Sequence, residues 1–519
     1  MKDYFQVNDW LSSGYTAVLD AALGETSFSG YVDPLAFFLT TLTGCTIGFA
    51  LIMLSMFVIL WLERKLYART NDRYGAMTSL RSLWVGEDGV TGGAWWNKIP
   101  FGLGRPVGAL NRALNQRFGN DDPDRPMVTR AQNRSWLGYT ILPGFFQQLA
   151  DGMKFLVKEH MVPQRADKWI YEIAPFIVVS STVMILGLIP LSSGIYGANP
   201  EYSVLFAIAI FGIAPIGVFF GGWASNNKYT LLGGIRSAAQ LTAYEIPLLL
   251  SILGVCVMAG SFNFIDIVAM QTSSGSWNVF LMPLGAVLFL VSMLAETERI
   301  PFDMPEAEAE LVEGWWTEYG DMRFGQLFMA EYLRVYAACF MFTHLFLGGW
   351  AVPFAGQVSK LGGVGEFLVQ ATPGIVIVLL KSWFVFSVVF VWARTALPRI
   401  RTDQILEFGW RMLLPLAVLQ VILSLVYRAF LFDPAGLAHI ASGTELTDNL
   451  VGGTSWSLAE FHGIEALAIL PLLPILTTIL WLGVFLIFLN DDRPTDAVEE
   501  RMYHITTLTP AGTHIPGTE

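Results

Sequence analysis

VLFAIAIFGIAPIGVFFGGWA, residues 204–224, carries no charged side chain from end to end. Its length is about what a helix needs to cross a bilayer. Within lipid only helices and closed barrels satisfy their own backbone polar groups. Similar runs recur at about 35–62, 170–190, 243–260, 279–295, 328–350, 373–393, 411–431 and 464–489. Runs this long and continuous are read as helices. The whole chain of 519 residues is 54% hydrophobic and 14% charged, with mean hydropathy +0.51. Soluble domains carry roughly 25% charged residues. The fold class is therefore an all-α polytopic membrane protein with about nine transmembrane helices and a long loop after the first.

Several function classes fall away. Cys45, Cys256 and Cys339 each stand alone, and no C-x-x-C exists, so iron–sulfur and zinc sites have no support. The six histidines are scattered; His344, in an apolar run, reads as a hydrogen-bonded packing residue rather than a haem ligand. FGLGRPVG lacks the glycine spacing and the βαβ setting of a dinucleotide fingerprint. The net charge of −12 comes with no separate basic domain, so nucleic acid is not an expected partner. Asp3, Asp9, Asp20 and Glu25 interrupt the first thirty residues and leave no cleavable signal. VNDWLSSGYTAVLDAAL, within that stretch, suits a short surface helix.

Basic residues retain loops in the cytoplasm. The first loop, 63–169, holds sixteen Lys and Arg; the second and fourth hold none. Lys228 and Arg236 mark the third, Arg299 and Arg323 the fifth, and Arg394, Arg399, Arg401 and Arg411 the seventh. The alternation places the N-terminus outside and the C-terminus in the cytoplasm of a bacterial inner membrane.

The fifth loop is the unusual one. PFDMPEAEAELVEG (301–314) crowds five carboxylates between apolar runs, and 296–331 holds ten acids against two bases. Asp303, Pro305 and Glu306 have the spacing of a helix start, where acids complement the dipole. Capping does not need the remaining acids. Glu306, Glu310 and Glu313 would share one helical face, and neighbouring acids raise one another's pKa and titrate together. The stretch is either a proton-handling or cation-attracting set, or a solvated acidic face. Glu245 and Glu331 lie at the starts of apolar runs, where an unpaired acid costs about 2.5–3.5 kcal/mol. Both are functional candidates, or they reach the interface. Lys381, deep in the seventh run, is expected to pair with an acid elsewhere in the bundle.

The motifs AETERIPFDMPEAEAELVEGWWTEY and FMAEY resemble the central loop of the membrane subunit designated H in bacterial respiratory complex I (NADH-quinone oxidoreductase), counterpart of subunit 1 of the mitochondrial NADH dehydrogenase. ERKLYARTNDRYG (63–75), LADGMKFLVKE (149–159), GWASNNKYTLLGGIRSAAQLTAYE (222–245), GSFNFIDIV (260–268), LKSWFVF (380–386) and RTALPRIRTDQILEFGW (394–410) agree in order. The resemblance covers about 35–77 and 141–430. It implies a subunit that forms much of the quinone chamber, anchors the peripheral arm and couples quinone reduction to proton translocation. Ubiquinone or menaquinone would be substrate. FMN and iron–sulfur clusters would sit only on partner subunits, which take electrons from NADH. The implied partners are the peripheral quinone-site and terminal iron–sulfur-cluster subunits, small and antiporter-like membrane subunits, and the lipid bilayer. By the same resemblance Glu63, Arg64, Arg73, Asp151, Lys154, Arg299, Phe328 and Met329 line the chamber. Glu245, Glu296, Asp303, Glu306, Glu308, Glu310, Glu318, Glu331, Lys381 and Arg394 form the charge pathway. No catalytic or metal residue is implied on this chain alone.

The chain departs from the pattern in places. GPN becomes Gly75-Ala76-Met77, and an insertion follows at about 78–140. Its segment RPVGALNRALNQRF (105–118) suits either a basic amphipathic helix that docks or a solvated loop. AETNR becomes AETER, which adds Glu298, and LVSG becomes LVEG, which adds Glu313. The domain plan is a periplasmic segment 1–34, the family core 35–430 of eight spans, an added loop and ninth helix 431–490, and a polar tail 491–519. A membrane subunit of a related complex with another donor, such as a membrane-bound hydrogenase, shares these features. A stand-alone proton channel is a third reading.

Overall fold

Long apolar runs leave a backbone no partner but itself, and the chain accordingly folds as a bundle of helices. The computed structural model describes residues 11–16, 32–73, 75, 147–192, 194–274, 277–304, 311–351 and 374–428. All of them lie in the first of two units, Met1–His462 and Gly463–Glu519. The expected insertion, Glu306, Glu308, Glu310, the ninth span and the polar tail lie outside the described residues.

Helix α1 spans Val32–Thr70, α2 Gln147–Val157 and α3 Lys168–Leu188. Next come α4 Ser203–Phe211, α5 Ala214–Ala224, α6 Lys228–Ala259 and α7 Phe264–Ser274. Helix α8 is Pro283–Glu296 and α9 Asp321–Phe346. Helices α10, Gly374–Ala396, and α11, Thr402–Val426, each contain a π turn, at Phe386–Val391 and Phe408–Leu413. Residues 11–16 are helical, inside the segment expected as a surface helix. Among the described residues six helical spans are long and apolar enough to cross a membrane: α1, α3, α4 with α5, α6, α10 and α11. Helix α8, of 14 residues, is a shorter apolar helix. Helix α9, of 26 residues, carries Asp321, Arg323, Glu331 and Arg334 and is not among the six. Helices thus stand over eight of the nine expected runs.

Several boundaries move outward for a physical reason. Ending a helix exposes four carbonyls or four N–H groups, whereas continuing it keeps them paired. Helix α1, at 39 residues, is roughly 58 Å long at the standard helical rise, so it carries Glu63 and Arg64 past its apolar run. Helix α6 begins at Lys228, not near 243. The Asn227 side chain caps it by accepting from Tyr229 N at 3.1 Å. It ends at Gly260 (φ +72), whose N–H donates to Cys256 O at 2.8 Å. The single run 204–224 becomes two helices broken at Gly212–Ile213, and Pro215, which has no N–H, opens the second.

Helix α6 is the centre of the bundle and packs on α5, α8 and α11. It meets α5 nearly backbone to backbone. A Cβ on Gly222 would stand 2.6 Å from Thr230 O; α6 also meets the 314–316 turn closely, where a Cβ on Gly233 would stand 2.7 Å from Trp315 N. Small residues permit such approach in membrane helices. Tyr171, Tyr244, Tyr336, Phe211 and Phe264 are fully buried around this axis. Phe38, Leu54, Trp169 and Phe176 are mostly exposed on α1 and α3, as faces turned to lipid or a neighbouring subunit would be.

Candidate functional site

The site starts at the C-terminus of α8, where the last four carbonyls of a buried helix need donors. Met293 O accepts from Thr297 N (2.9 Å) and Oγ1 (2.8 Å), and Leu294 O from Arg299 N (3.2 Å). Ala295 O accepts from Glu298 N (3.2 Å) and Gln240 Nε2 (2.8 Å), and Glu296 O from Arg334 Nη1 (3.3 Å). The cation at this end also suits the helix dipole. Gln240 Nε2 reaches Phe302 O as well, at 2.8 Å, so one α6 side chain clamps both ends of the 295–302 loop. The turn within it holds a cis Ile300–Pro301 bond and closes with Phe302 N donating to Arg299 O at 2.8 Å.

That loop aims Arg299 at an ion group drawn from four segments. Glu63 of α1 accepts from Arg394 Nη1 of α10 at 2.6 Å and lies 3.5 Å from Arg299 Nη1. Arg299 Nη2 is 2.9 Å from Glu331 of α9, and its guanidinium covers the Tyr332 ring at 4.4 Å. Two acids balance two bases. Glu63 and Arg299 are 5% and 8% exposed, so each charge depends on its partners rather than on water. Beyond the turn Asp303 O accepts from Arg399 Nη2 at 2.5 Å. Burial, with Glu331 nearby, pushes the Asp303 carboxyl up to about 6 against the pull of Arg399, Arg299 and Arg394.

Other chamber candidates flank this group. Arg64 pairs with Asp151 of α2 at 2.8 Å, and Gln147 Nε2 donates to the other oxygen at 2.9 Å. Arg73 and Arg394 both face the Tyr67 ring, at 5.3 and 5.2 Å. Phe328 and Met329 are half-buried on α9, with the Phe328 ring 4.8 Å from Tyr332. Lys154 is exposed on α2.

Three expected pathway residues sit apart from the ion group. Glu318 accepts from Asn227 Nδ2 at 2.7 Å beside the stacked Tyr171–Tyr319 pair. There Arg323 bonds Glu172 and His160, and His160 Nδ1 donates to Asp321 at 2.6 Å. Glu245 reaches toward the α4–α5 break, where a Cβ on Gly212 would meet its carboxylate. Lys381 corrects an expectation. Its Nζ donates to Leu347 O, Gly349 O and Ala351 O at 2.6, 2.8 and 2.7 Å and lies over Trp277. Three carbonyls match the three ammonium donors, so no carboxylate is needed. The expected Glu306–Glu310–Glu313 stripe also ends early: Val312 has φ +69, which no helix admits, and Glu313 is exposed. His344 packs as expected, with Nδ1 donating to Phe340 O at 2.8 Å between the rings of Phe264 and Trp350. Cys45, Cys256 and Cys339 are free thiols on separate helices. A cavity of about 530 Å³ between α1, α3 and α4 is lined by Cys45, Phe49, Met184 and other apolar residues; none of the ion group faces it.

The NADH dehydrogenase family model matches residues 123–425, more than half of the chain. The NADH-quinone oxidoreductase membrane subunit designated H from Geobacillus kaustophilus is 42% identical over 289 residues, covering 56% of this chain and 82% of the relative. The Bacillus thuringiensis (strain Al Hakam) protein of the same name is 42% identical over 294 residues, with the same coverage. The chain belongs to this family of NADH-quinone oxidoreductase subunits. It is a membrane subunit of complex I, a quinone-reducing enzyme complex.

The family match begins at 123, so α1, with Glu63 and Arg64, and Arg73 just beyond it lie outside the matched residues. Geometry nonetheless joins α1 to the complex I family core through Glu63–Arg394 and Ser55, which donates to Tyr336 Oη at 2.6 Å. Several residues of this candidate site went unmarked by the sequence. Arg334 is buried three positions after Glu331, where the rule that exposed Glu331 would have found it. Ser237 and Gln240 left no signal, because neutral polar residues in α6 look like ordinary helix surface.

Proposed function

We propose that the chain forms much of the quinone chamber of a proton-pumping NADH:quinone oxidoreductase, anchors its peripheral arm, and couples quinone reduction to proton translocation. The observation that carries this is the largely buried, balanced group Glu63–Arg299–Glu331–Arg394, with Arg334 acting on both Glu331 and Glu296. Reducing a quinone takes two electrons and two protons. The electrons come from a cluster on a peripheral partner, which is fed from NADH by way of FMN on another. The quinone, ubiquinone or menaquinone, takes an apolar slot beside Phe328 and Met329, with polar groups for its carbonyls. Arg64, Asp151, Lys154 and Arg73 belong to its rim. A charge change at Glu331 alters the hold on Arg299. That in turn changes the field at Glu63, and the disturbance passes to Glu296, Glu245 and onward to antiporter-like membrane subunits. Asp303, Glu306, Glu308, Glu310 and Glu318 feed protons from the cytoplasmic side; Arg394 balances charge at Glu63, and Lys381 does so deeper in. The membrane is a bacterial inner membrane, with the N-terminus outside and the C-terminus in the cytoplasm.

The test is Glu331→Gln in the assembled complex, read as NADH:quinone reductase rate and protons moved per NADH. A fall in either, with the complex intact, is expected. Wild-type rate and yield would remove Glu331 from the pathway and with it this reading.

A further inference from the structure

Glu298 occupies a backbone position that suits another residue. Its N–H donates to Ala295 O and that of Arg299 to Leu294 O, the two bonds of a Schellman ending to α8. The residue between them must be left-handed, and Glu298 has φ +54. Glycine and asparagine take that conformation readily; glutamate does so rarely. Nor does the side chain escape to water. The residue is 7% exposed, and Oε1 accepts a hydrogen bond from Ser237 Oγ of α6. A polar side chain held like this has a reason beyond ending a helix.

Its surroundings supply one. Glu296, two residues back, is 1% exposed, and its Oε2 has no hydrogen-bond partner. From α9 Arg334 and Glu331 bear on Glu298, and so does Asp303 from beyond the turn. Gln240, one turn along α6 from Ser237, holds the loop against that helix. An orphaned buried carboxylate oxygen and, two residues on, a second buried carboxylate held by a hydroxyl form a place where a proton can be exchanged.

We propose that Glu298 is a further proton-carrying residue of the carboxylate pathway, exchanging a proton with Glu296 and held in place by Ser237. The proposal rests on the reading of the pathway given above. In the step the O–H bond of a protonated Glu298 breaks and one forms on the Glu296 carboxylate. One negative charge moves the other way and no electron moves. Ser237 can donate to the ionised acid or accept from the protonated one. Burial pushes Glu298 up to about 7, with Glu331 and Asp303 adding to it and Arg334 and Ser237 opposing, so both protonation states are populated near neutrality.

The experiment uses the assembled complex carrying Glu298→Gln, Glu298→Asn, Glu298→Asp or Glu331→Gln. Coupled turnover is followed across pH, together with the infrared difference band of protonated carboxyl groups. The wild type should show an inflection near pH 7 and a matching band. Glu298→Gln and Glu298→Asn should lose both; Glu298→Asp should keep them. Asparagine fits the left-handed position, so it decides the matter if glutamine blocks assembly. A wild-type inflection and band in Glu298→Asn would overturn the proposal and leave Glu298 a helix ending. If that variant is silent while Glu331→Gln is impaired, only this proposal fails. If Glu331→Gln is silent, the pathway reading fails and takes this proposal with it.

Discussion

Glu63 is one carboxylate serving two guanidinium groups, and the arrangement sets what its loss would do. Glu63→Gln removes one partner of the buried Arg299 and the ion-pair partner of the half-buried Arg394. Breaking one side of a fully buried pair costs about 3–5 kcal/mol, and the exposure of Arg394 lowers the cost here. A thermal unfolding midpoint well below wild type is expected for the detergent-purified complex, and removing Arg394 in the same chain should restore much of it. Asp303 makes a prediction of the opposite kind. Its folded pKa, about 6, lies above its unfolded value, so its contribution to stability is full at low pH and is lost as pH rises through 6. Asp303→Asn should therefore stabilise the protein at pH 8 relative to wild type and make no difference at pH 4, as read by unfolding at both. Much of this charge was legible from the residues. An acid or base in an apolar run must be paired or functional, and that rule marked Glu331, Glu245 and Lys381. It could not name partners. Lys381 found carbonyls from residues 347–351 because a turn happens to present three oxygens together, which no charge pattern announces.

Helices α5, α6 and α8 are held in register by small residues and by amide donors rather than by apolar bulk alone. Gly233→Ala places a methyl group against the Trp315 backbone, which cannot move aside as a side chain can. Overpacking of this sort costs about 1–3 kcal/mol. Lower yield of assembled subunit and a reduced unfolding midpoint are expected. Gln240→Leu removes the donor from Ala295 O and Phe302 O. Ala295 O keeps Glu298 N, so the penalty falls on Phe302 O, about 1–3 kcal/mol for an unsatisfied buried group. Hydrogen exchange should speed up across 295–302 and stay unchanged in α3. Apolar runs announced these helices, but their limits did not follow the runs. Residues 228–242 read as a basic loop because Lys228 and Arg236 interrupt them. They are helix because Ser237 and Gln240 face protein instead of lipid.

Burial is spread unevenly over the molecule. Over the apolar window of α6, 61% of residues are buried, against 22% for α1. Helix α1 therefore presents most of its surface to lipid or to another subunit, and the chain then runs on toward residues 78–140, where the sequence predicts an insertion. Deleting 80–138 should release a neighbouring subunit from the purified complex; an unchanged subunit profile would make the insertion a solvated loop. The ion group has a temporal side as well. Glu63 and Arg394 stand 331 positions apart in the chain. Domains mature during synthesis from the N-terminus onward. Glu63 thus takes its place near the end of α1 long before the ribosome has made Arg299 or Arg394, and helix after helix is threaded in the meantime. A message cut short before residue 299 yields a polypeptide whose first helix bears an acid with neither of its guanidinium partners, and one cut between 299 and α10 lacks the closer of the two. The Glu63–Arg394 pair therefore closes only once synthesis has passed α10.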